Sequence, residues 1–231
     1  LDRSRTSNEV AEQLPPRADP ASEQDSGVVA LFRSGRDLRW AQIQPGRRLM
    51  VGGAASAVHS GRIWLLGGGS ASLPQGQDSY RVDPGTGGVQ QYRAPWPARR
   101  NAAAISFRGE LWLIGGESHI PLNDVWSSRD GITWTFRGNA PFLGRWDHAL
   151  AVLDGRLIVT GGTDGQRAFS DTWISENGLT WQRLATGPWE GRSGHRVVVT
   201  EDRLFLAGGA TSDGNALSDL WSAAFTGGEI V

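Results

Sequence analysis

Residues 145–184 read RWDHALAVLDGRLIVTGGTDGQRAFSDTWISENGLTWQRL, and this stretch decides the fold. His148 to Leu153 is an apolar run that stops at Asp154-Gly155, a two-residue hairpin signal. Arg156 to Thr160 is a second apolar run, closed by Gly161-Gly162. A polar stretch, 163–170, follows. Then come a third and a fourth segment, joined at Asn177-Gly178. Asn and Gly tolerate positive φ, so a type I′ turn centred on this pair is expected. Four short strands in about forty residues is the reading.

The same pattern recurs along the chain. Gly pairs stand at Gly67-Gly68, Gly115-Gly116, Gly161-Gly162 and Gly208-Gly209, with spacings of 48, 46 and 47 residues. Sixteen positions before the last three pairs stand Arg99, Arg145 and Arg192, with Val51 in that slot of the first copy. After each pair an Asp precedes an aromatic by two: Asp78/Tyr80, Asp124/Trp126, Asp171/Trp173 and Asp219/Trp221. Trp134 and Trp181 follow their strand Trp by eight. Only the stretch between Gly pair and Asp varies in length, which marks it as a loop. A turn centred on Asp130-Gly131 places Trp134 opposite Ser127, hence on the face opposite Trp126. A sheet with large aromatics on both faces must be covered on both, and a radial stack of small sheets does this.

A period near fifty residues, a strand ending in Gly-Gly, a downstream aromatic and a later Trp resemble the kelch repeat. The string DVWSSRDGITW, 124–134, is similar to the hairpins of bacterial kelch and galactose-oxidase-like propellers, and to a shortened sialidase Asp-box. The resemblance implies an all-β, kelch-type β-propeller of four-stranded blades. It spans residues 28 to 224, with repeats at about 51–98, 99–144, 145–191 and 192–225 and a partial repeat at 28–43. The first copy departs most, with Tyr80 for Trp and DPGTGG lengthening its last hairpin. Residues 1–26, rich in Pro, Ser and charge, read as a disordered linker before a propeller at 27–231. In ALFRSGRDLRW, 30–40, Phe32 takes the Trp126 slot and Trp40 the Trp134 slot. The last copy stops at DLWSAAF; residues 38–43 offer it a fourth strand, but 28–33 would then duplicate its third, so the chain is expected to be part of a larger propeller, or else a four-blade ring with a surplus strand.

Composition narrows the function. The 231 residues carry a net charge of −1, which offers nucleic acid or an anionic membrane no electrostatic handle, and no run is apolar and long enough to insert into a membrane. Cys is absent, which excludes disulfides, thiolate metal sites, a Cys nucleophile and the Tyr–Cys copper chemistry that the galactose oxidase resemblance carries. There is no Lys, hence no Schiff base and no P-loop. The two Tyr residues, Tyr80 and Tyr92, hold strand positions and leave no free Tyr nucleophile of the sialidase kind. No cofactor, metal, catalytic residue or obligate oligomer is implied.

The reading is a non-catalytic binding or scaffold module that offers its loops to a protein or glycan partner. The alternative is a kelch-type sugar mutarotase acting at the central mouth. Candidate binding residues fall into three sets. Arg99, Arg145 and Arg192 form a ladder suited to a carboxylate at one mouth, or else bond carbonyls of a neighbouring blade. His148 and His195 sit three residues later, in a slot held elsewhere by Ala54 and Ala102. They belong to different blades, and no fixed spacing makes them metal ligands. Trp96, Phe142 and Trp189 follow a Pro in the inter-repeat connections and either present aromatic surface to a ligand or plug the gap between blades. The Pro/Ser-rich start and the bacterial-type hairpins point to an exported protein.

Overall fold

A computed structural model describes residues 51–69, 75–184, 187–226 and 229–230. The proposed linker at 1–26 and partial repeat at 28–43 lie outside the described residues. The described chain is all-β, in four antiparallel four-stranded sheets. Blade 1 holds β1 (Ala55–His59), β2 (Arg62–Leu66), β3 (Asp78–Val82) and β4 (Val89–Arg93). Blade 2 holds β5 (Ala103–Phe107), β6 (Glu110–Glu117), β7 (Pro121–Ser128) and β8 (Thr135–Asn139). Blade 3 holds β9 (Ala149–Leu153), β10 (Arg156–Thr160), β11 (Thr172–Ser175) and β12 (Gln182–Arg183). Blade 4 holds β13 (Arg196–Val199), β14 (Arg203–Ala207), β15 (Leu220–Thr226) and β16 (Glu229–Ile230). Each sheet is ordered as its strands follow in sequence, a meander.

The first hairpin of blade 3 forms as expected. Asp154 and Gly155 both have positive φ, 51° and 65°, and Leu153 pairs with Arg156 across them. The last hairpin does not. Gly131 and Gly178 have positive φ, but Asp130 and Asn177 do not, so neither turn is type I′. Instead Asp130 Oδ1 accepts the N–H groups of Ile132 and Thr133, and Ser128 Oγ accepts that of Gly131. Asn177 and Ser175 repeat the arrangement. The loop is therefore wider, and the register moves by one residue: Ser127 pairs with Thr135, and Ile174 with Gln182. A shift of one turns every side chain to the other face. Trp134 consequently packs on the same side as Trp126, not the opposite one, and Trp181 on the side of Trp173.

The core lies between blades. Trp64 and Leu66 of blade 1 meet Leu111, Leu113 and Trp134 of blade 2. Trp112 and Ile114 of blade 2 meet Leu157 and Val159 of blade 3. Ile158 and Ile174 of blade 3 meet Leu204 and Leu206 of blade 4. A single blade cannot bury either of its faces alone, so stability comes from neighbour contacts. The Gly pairs make those contacts close. Gly115 and Gly116 have φ of 61° and 104°, and a Cβ on Gly115 would come within 2.9 Å of the Arg145 carbonyl oxygen. The N–H groups of Gly68, Gly116 and Gly162 donate to the carbonyls of Arg99, Arg145 and Arg192, each one blade on. The innermost strands touch in succession, β1 to β5 to β9 to β13, with no comparable contact between β13 and β1. The described array is an open arc. Its fourth blade also carries its own fourth strand, since Phe225 pairs with Ile230 and Thr226 with Glu229. This corrects the expectation that blade 4 ends after three strands.

Candidate functional site

The Arg ladder is the most regular feature of the frame, and it is internal. The side chains of Arg99, Arg145 and Arg192 are 0% exposed. Arg99 forks onto Asp124 at 2.7 and 2.6 Å, Arg145 onto Asp171 at 2.6 and 2.9 Å, and Arg192 onto Asp219 at 2.6 and 2.7 Å. Each also donates to the first Gly carbonyl of its own blade and to the carbonyl two residues before itself. Trp126, Trp173 and Trp221 then donate their indole N–H to the same carboxylates. Burial works against ionisation of Asp171, but the Arg145 fork wins and holds its carboxyl below the usual range. The Arg192 bonds, joined by Trp221, hold Asp219 lower still. The expected ring of free guanidinium groups at a mouth is corrected: every one is consumed inside its own blade, not across to a neighbour. Where Val51 replaces the Arg, Asp78 takes a bond from Gln91 instead.

The connector aromatics are internal too. Trp96 is 0% exposed and meets Trp134 edge-on at 4.4 Å. Phe142 meets Trp181 at 5.5 Å, and Trp189 is buried in the third inter-blade core. They fill gaps between blades, and the expectation of exposed ligand-stacking rings is corrected on that ground.

His148 and His195 are also buried. Burial, with the Arg145 and His195 charges behind it, pushes His148 down to about 3. Burial and the Arg192 charge push His195 down to about 4. Both are therefore neutral near pH 7. His195 Nε2 meets Thr160 Oγ1 at 3.0 Å, while His195 Nδ1 and both His148 nitrogens find no partner among the described residues. No three His, Asp or Glu side chains among the described residues assemble as metal ligands.

What the structure brings to the surface lies beside these residues. Bridges Arg100–Glu117, Trp146–Thr163 and Ser193–Ala210 tie each first-strand entry to the loop after the Gly pair, so entries and loops share one face. Two positions after each ladder slot stand Gly53, Asn101, Asp147 and Gly194, all with positive φ. Asn101 N–H donates to Gly53, Asp147 to Asn101 and Gly194 to Asp147, which lines up the blades at this face. The Asp147 carboxylate has no hydrogen bond or ion pair among the described residues. Burial pushes its carboxyl up, and the Glu117 charge adds to this, against Arg196 and Arg100. Glu117 itself is held by Arg100 at 2.8 and 3.0 Å. Trp146 is half-buried, its ring under Gly165. Exposed around them are Ile120, Gln166, Arg167, Asp213 and Asn215. Sequence reading missed Asn101, Asp147 and Trp146. The legible signal was the slot itself: Gly, Asn, Asp and Gly are the residues that accept positive φ.

No protein-family model matches the sequence. Over 73 residues, 32% of this chain, the sequence is 34% identical to Kelch-like protein 35 of Homo sapiens and 32% identical to that of Mus musculus. That stretch spans 12% of each relative's length. The solved structure described as "Structure of YjhT" aligns with a TM-score of 0.67 at 19% identity, over 82% of this chain and 66% of that one. Four in-register Gly-Gly repeats, folded as four-stranded blades and similar in sequence to a kelch protein and in fold to YjhT, make this chain a kelch-repeat β-propeller.

Proposed function

We propose that the chain is a binding scaffold whose loop face, at 117–123, 163–170 and 210–218 with the strand entries beside them, receives a protein or glycan partner. One observation carries this reading. The repeated polar and aromatic residues are consumed by the frame, while the residues left free on one face differ from blade to blade. A constant frame with variable, outward-facing loops is what a recognition surface needs. The half-buried Trp146 ring and the unpaired Asp147 carboxylate give it an aromatic platform and an anchor for a donor-rich group. The test is a glycan array and a displayed-peptide library screened with the wild-type chain, Ile120→Asp and Arg167→Glu. Ligands of the wild type should be lost by both variants while the urea midpoints stay unchanged. Ligands that bind both variants as well as wild type would place recognition elsewhere.

One observation favours a second reading, a sugar mutarotase at the mouth. A raised carboxyl such as Asp147 beside the Arg100–Glu117 pair suits general acid–base work. Exchange of sugar anomers, followed by NMR, separates the two: acceleration lost in Asp147→Asn supports turnover, and no acceleration by the wild type rejects it.

A further inference from the structure

The third blade contact departs from the first two. Between blades 1 and 2 the hairpin ring of Trp134 meets the connector ring of Trp96 edge-on at 4.4 Å, and between blades 2 and 3 Trp181 meets Phe142 edge-on at 5.5 Å. Trp134 and Trp181 each stand eight residues after the strand Trp of their blade, whereas eight after Trp221 stands Glu229. Between blades 3 and 4 the connector ring of Trp189 thus has no hairpin indole to meet, and its ring contact is with His195, 6.4 Å away. The opposing wall is also lower, because Ile158 occupies the slot of Trp64 and Trp112. A cleft of about 890 Å³ opens there, walled by Ile158, Ile174, Trp189, Leu206, Trp221 and Phe225. Its size is that of a small-molecule site, and it shares no residue with the loop face proposed above.

The charge of the cleft is unbalanced. Its ionisable lining residues are Arg156, Glu176 and Arg183, two guanidinium groups against one carboxylate. Arg156 is loosely held, 3.5 Å from Glu176 and 3.8 Å from Asp154, with its guanidinium 4.7 Å from the centre of the Phe225 ring. The Arg183 side chain is exposed and has no hydrogen bond or ion pair among the described residues. We propose that this cleft binds a small aromatic carboxylate, with a planar fused-ring body of about indole size in the vacant hairpin slot against Trp189 and its acid group on Arg183. The equivalent space holds an indole at the two other contacts, which sets the shape of the ring. The surplus guanidinium selects an anion.

The test titrates the full chain with indole-3-acetate by calorimetry. One equivalent should bind, with a Kd of about 10–100 µM for a ligand of this size. The indole N–H resonances of Trp189 and Trp221 should shift, while those of Trp96 and Trp134 should not. Ala223 lines the cleft opposite Leu204, and Ala223→Trp should fill the slot from within and weaken binding at least about tenfold. Arg183→Gln removes no bond of the frame and should weaken binding about five- to tenfold. N-acetyl-tryptophanamide, which has the ring but no carboxylate, should bind about tenfold more weakly and be indifferent to Arg183→Gln. Should Ala223→Trp fail to fold, Arg183→Gln and the resonance shifts decide by themselves. No binding at about 1 mM indole-3-acetate, undiminished binding in Arg183→Gln, or shifts confined to other tryptophans would each overturn the proposal. So would N-acetyl-tryptophanamide binding as tightly as the acid, which would point to an inserted Trp side chain of a protein instead.

Discussion

Replacing Arg145 by Ala tests the reassignment of the ladder from ligand contact to internal tie. The substitution removes the fork onto Asp171, the bonds to the Gly161 and Leu143 carbonyls, and the guanidinium 4.3 Å from the Phe169 ring centre. What remains is the Asp171 carboxylate, its side chain 13% exposed, with only the Trp173 indole N–H as a bonded partner. Removing one partner of a buried ion pair costs about 3–5 kcal/mol, most of it from the stranded charge. With a urea slope of about 2–3 kcal/mol per molar, the midpoint should fall by about 1–2.5 M. Arg145→Lys keeps the charge but not the planar fork, and should recover only part of the loss. Arg145→Ala/Asp171→Ala should cost less than the two single changes added together, since the stranded charge is gone. Because repeat arrays lose stability locally, amide exchange should rise first in blades 2 and 3. An unchanged midpoint in Arg145→Ala, with loss of ligand binding instead, would refute the reasoning and restore the ladder as a site.

Other expected outcomes follow from the same frame. Trp96→Ala should cost about 3–5 kcal/mol in urea unfolding, because the ring is wholly buried between blades 1 and 2; a stable variant with weakened binding would return Trp96 to the surface. Gly178→Ala would put a Cβ 2.2 Å from the Trp112 ring, at a φ of 74°, and should cost at least about 1–3 kcal/mol. Trp112→Ile, the residue blade 3 carries in that slot, should relieve part of that cost, and no relief would mean that the backbone alone is strained. His148 and His195 are held below their ordinary value, so the unfolded chain binds more protons than the folded one as acid is added. The stability they contribute is intact above about pH 6.5 and is lost as pH falls toward 4 and then 3, by about 1.4 kcal/mol per pH unit for each imidazole. His148→Ala should flatten the fall in urea midpoint between pH 7 and 4.5, and parallel wild-type and variant curves would contradict this.

Much of this fold was legible in the sequence because repetition removes ambiguity. One apolar hairpin closed by a Gly pair is weak, but four in register leave few alternatives. Two of the misreadings have clear physical causes. The Asp130 and Asn177 turns were misread because the same residue types serve two geometries: positive φ at both central positions, or a side-chain oxygen that caps N–H groups ahead. The choice between them moves the register by one and decides which face Trp134 and Trp181 take. The ladder was misread for a different reason. Its Arg and Asp slots lie 25, 26 and 27 residues apart, across a loop of varying length, so no fixed spacing announces the pair. One basic and one acidic slot per repeat, both at positions flanking buried strands, was the available hint. Val51 and Asp78 break the pairing in the first copy, where Asp78 turns to Gln91.

The stacking itself is read most directly by amide hydrogen exchange at Gly68, Gly116 and Gly162. These N–H groups lie at the ends of strands yet donate to the Arg99, Arg145 and Arg192 carbonyls of the next blade. If blades lean on one another around an axis, the three should exchange about as slowly as the strand interiors, and far more slowly than the loop amide of Gly165. Exchange as fast as Gly165 would mean that the blades do not meet there, and the account would fail.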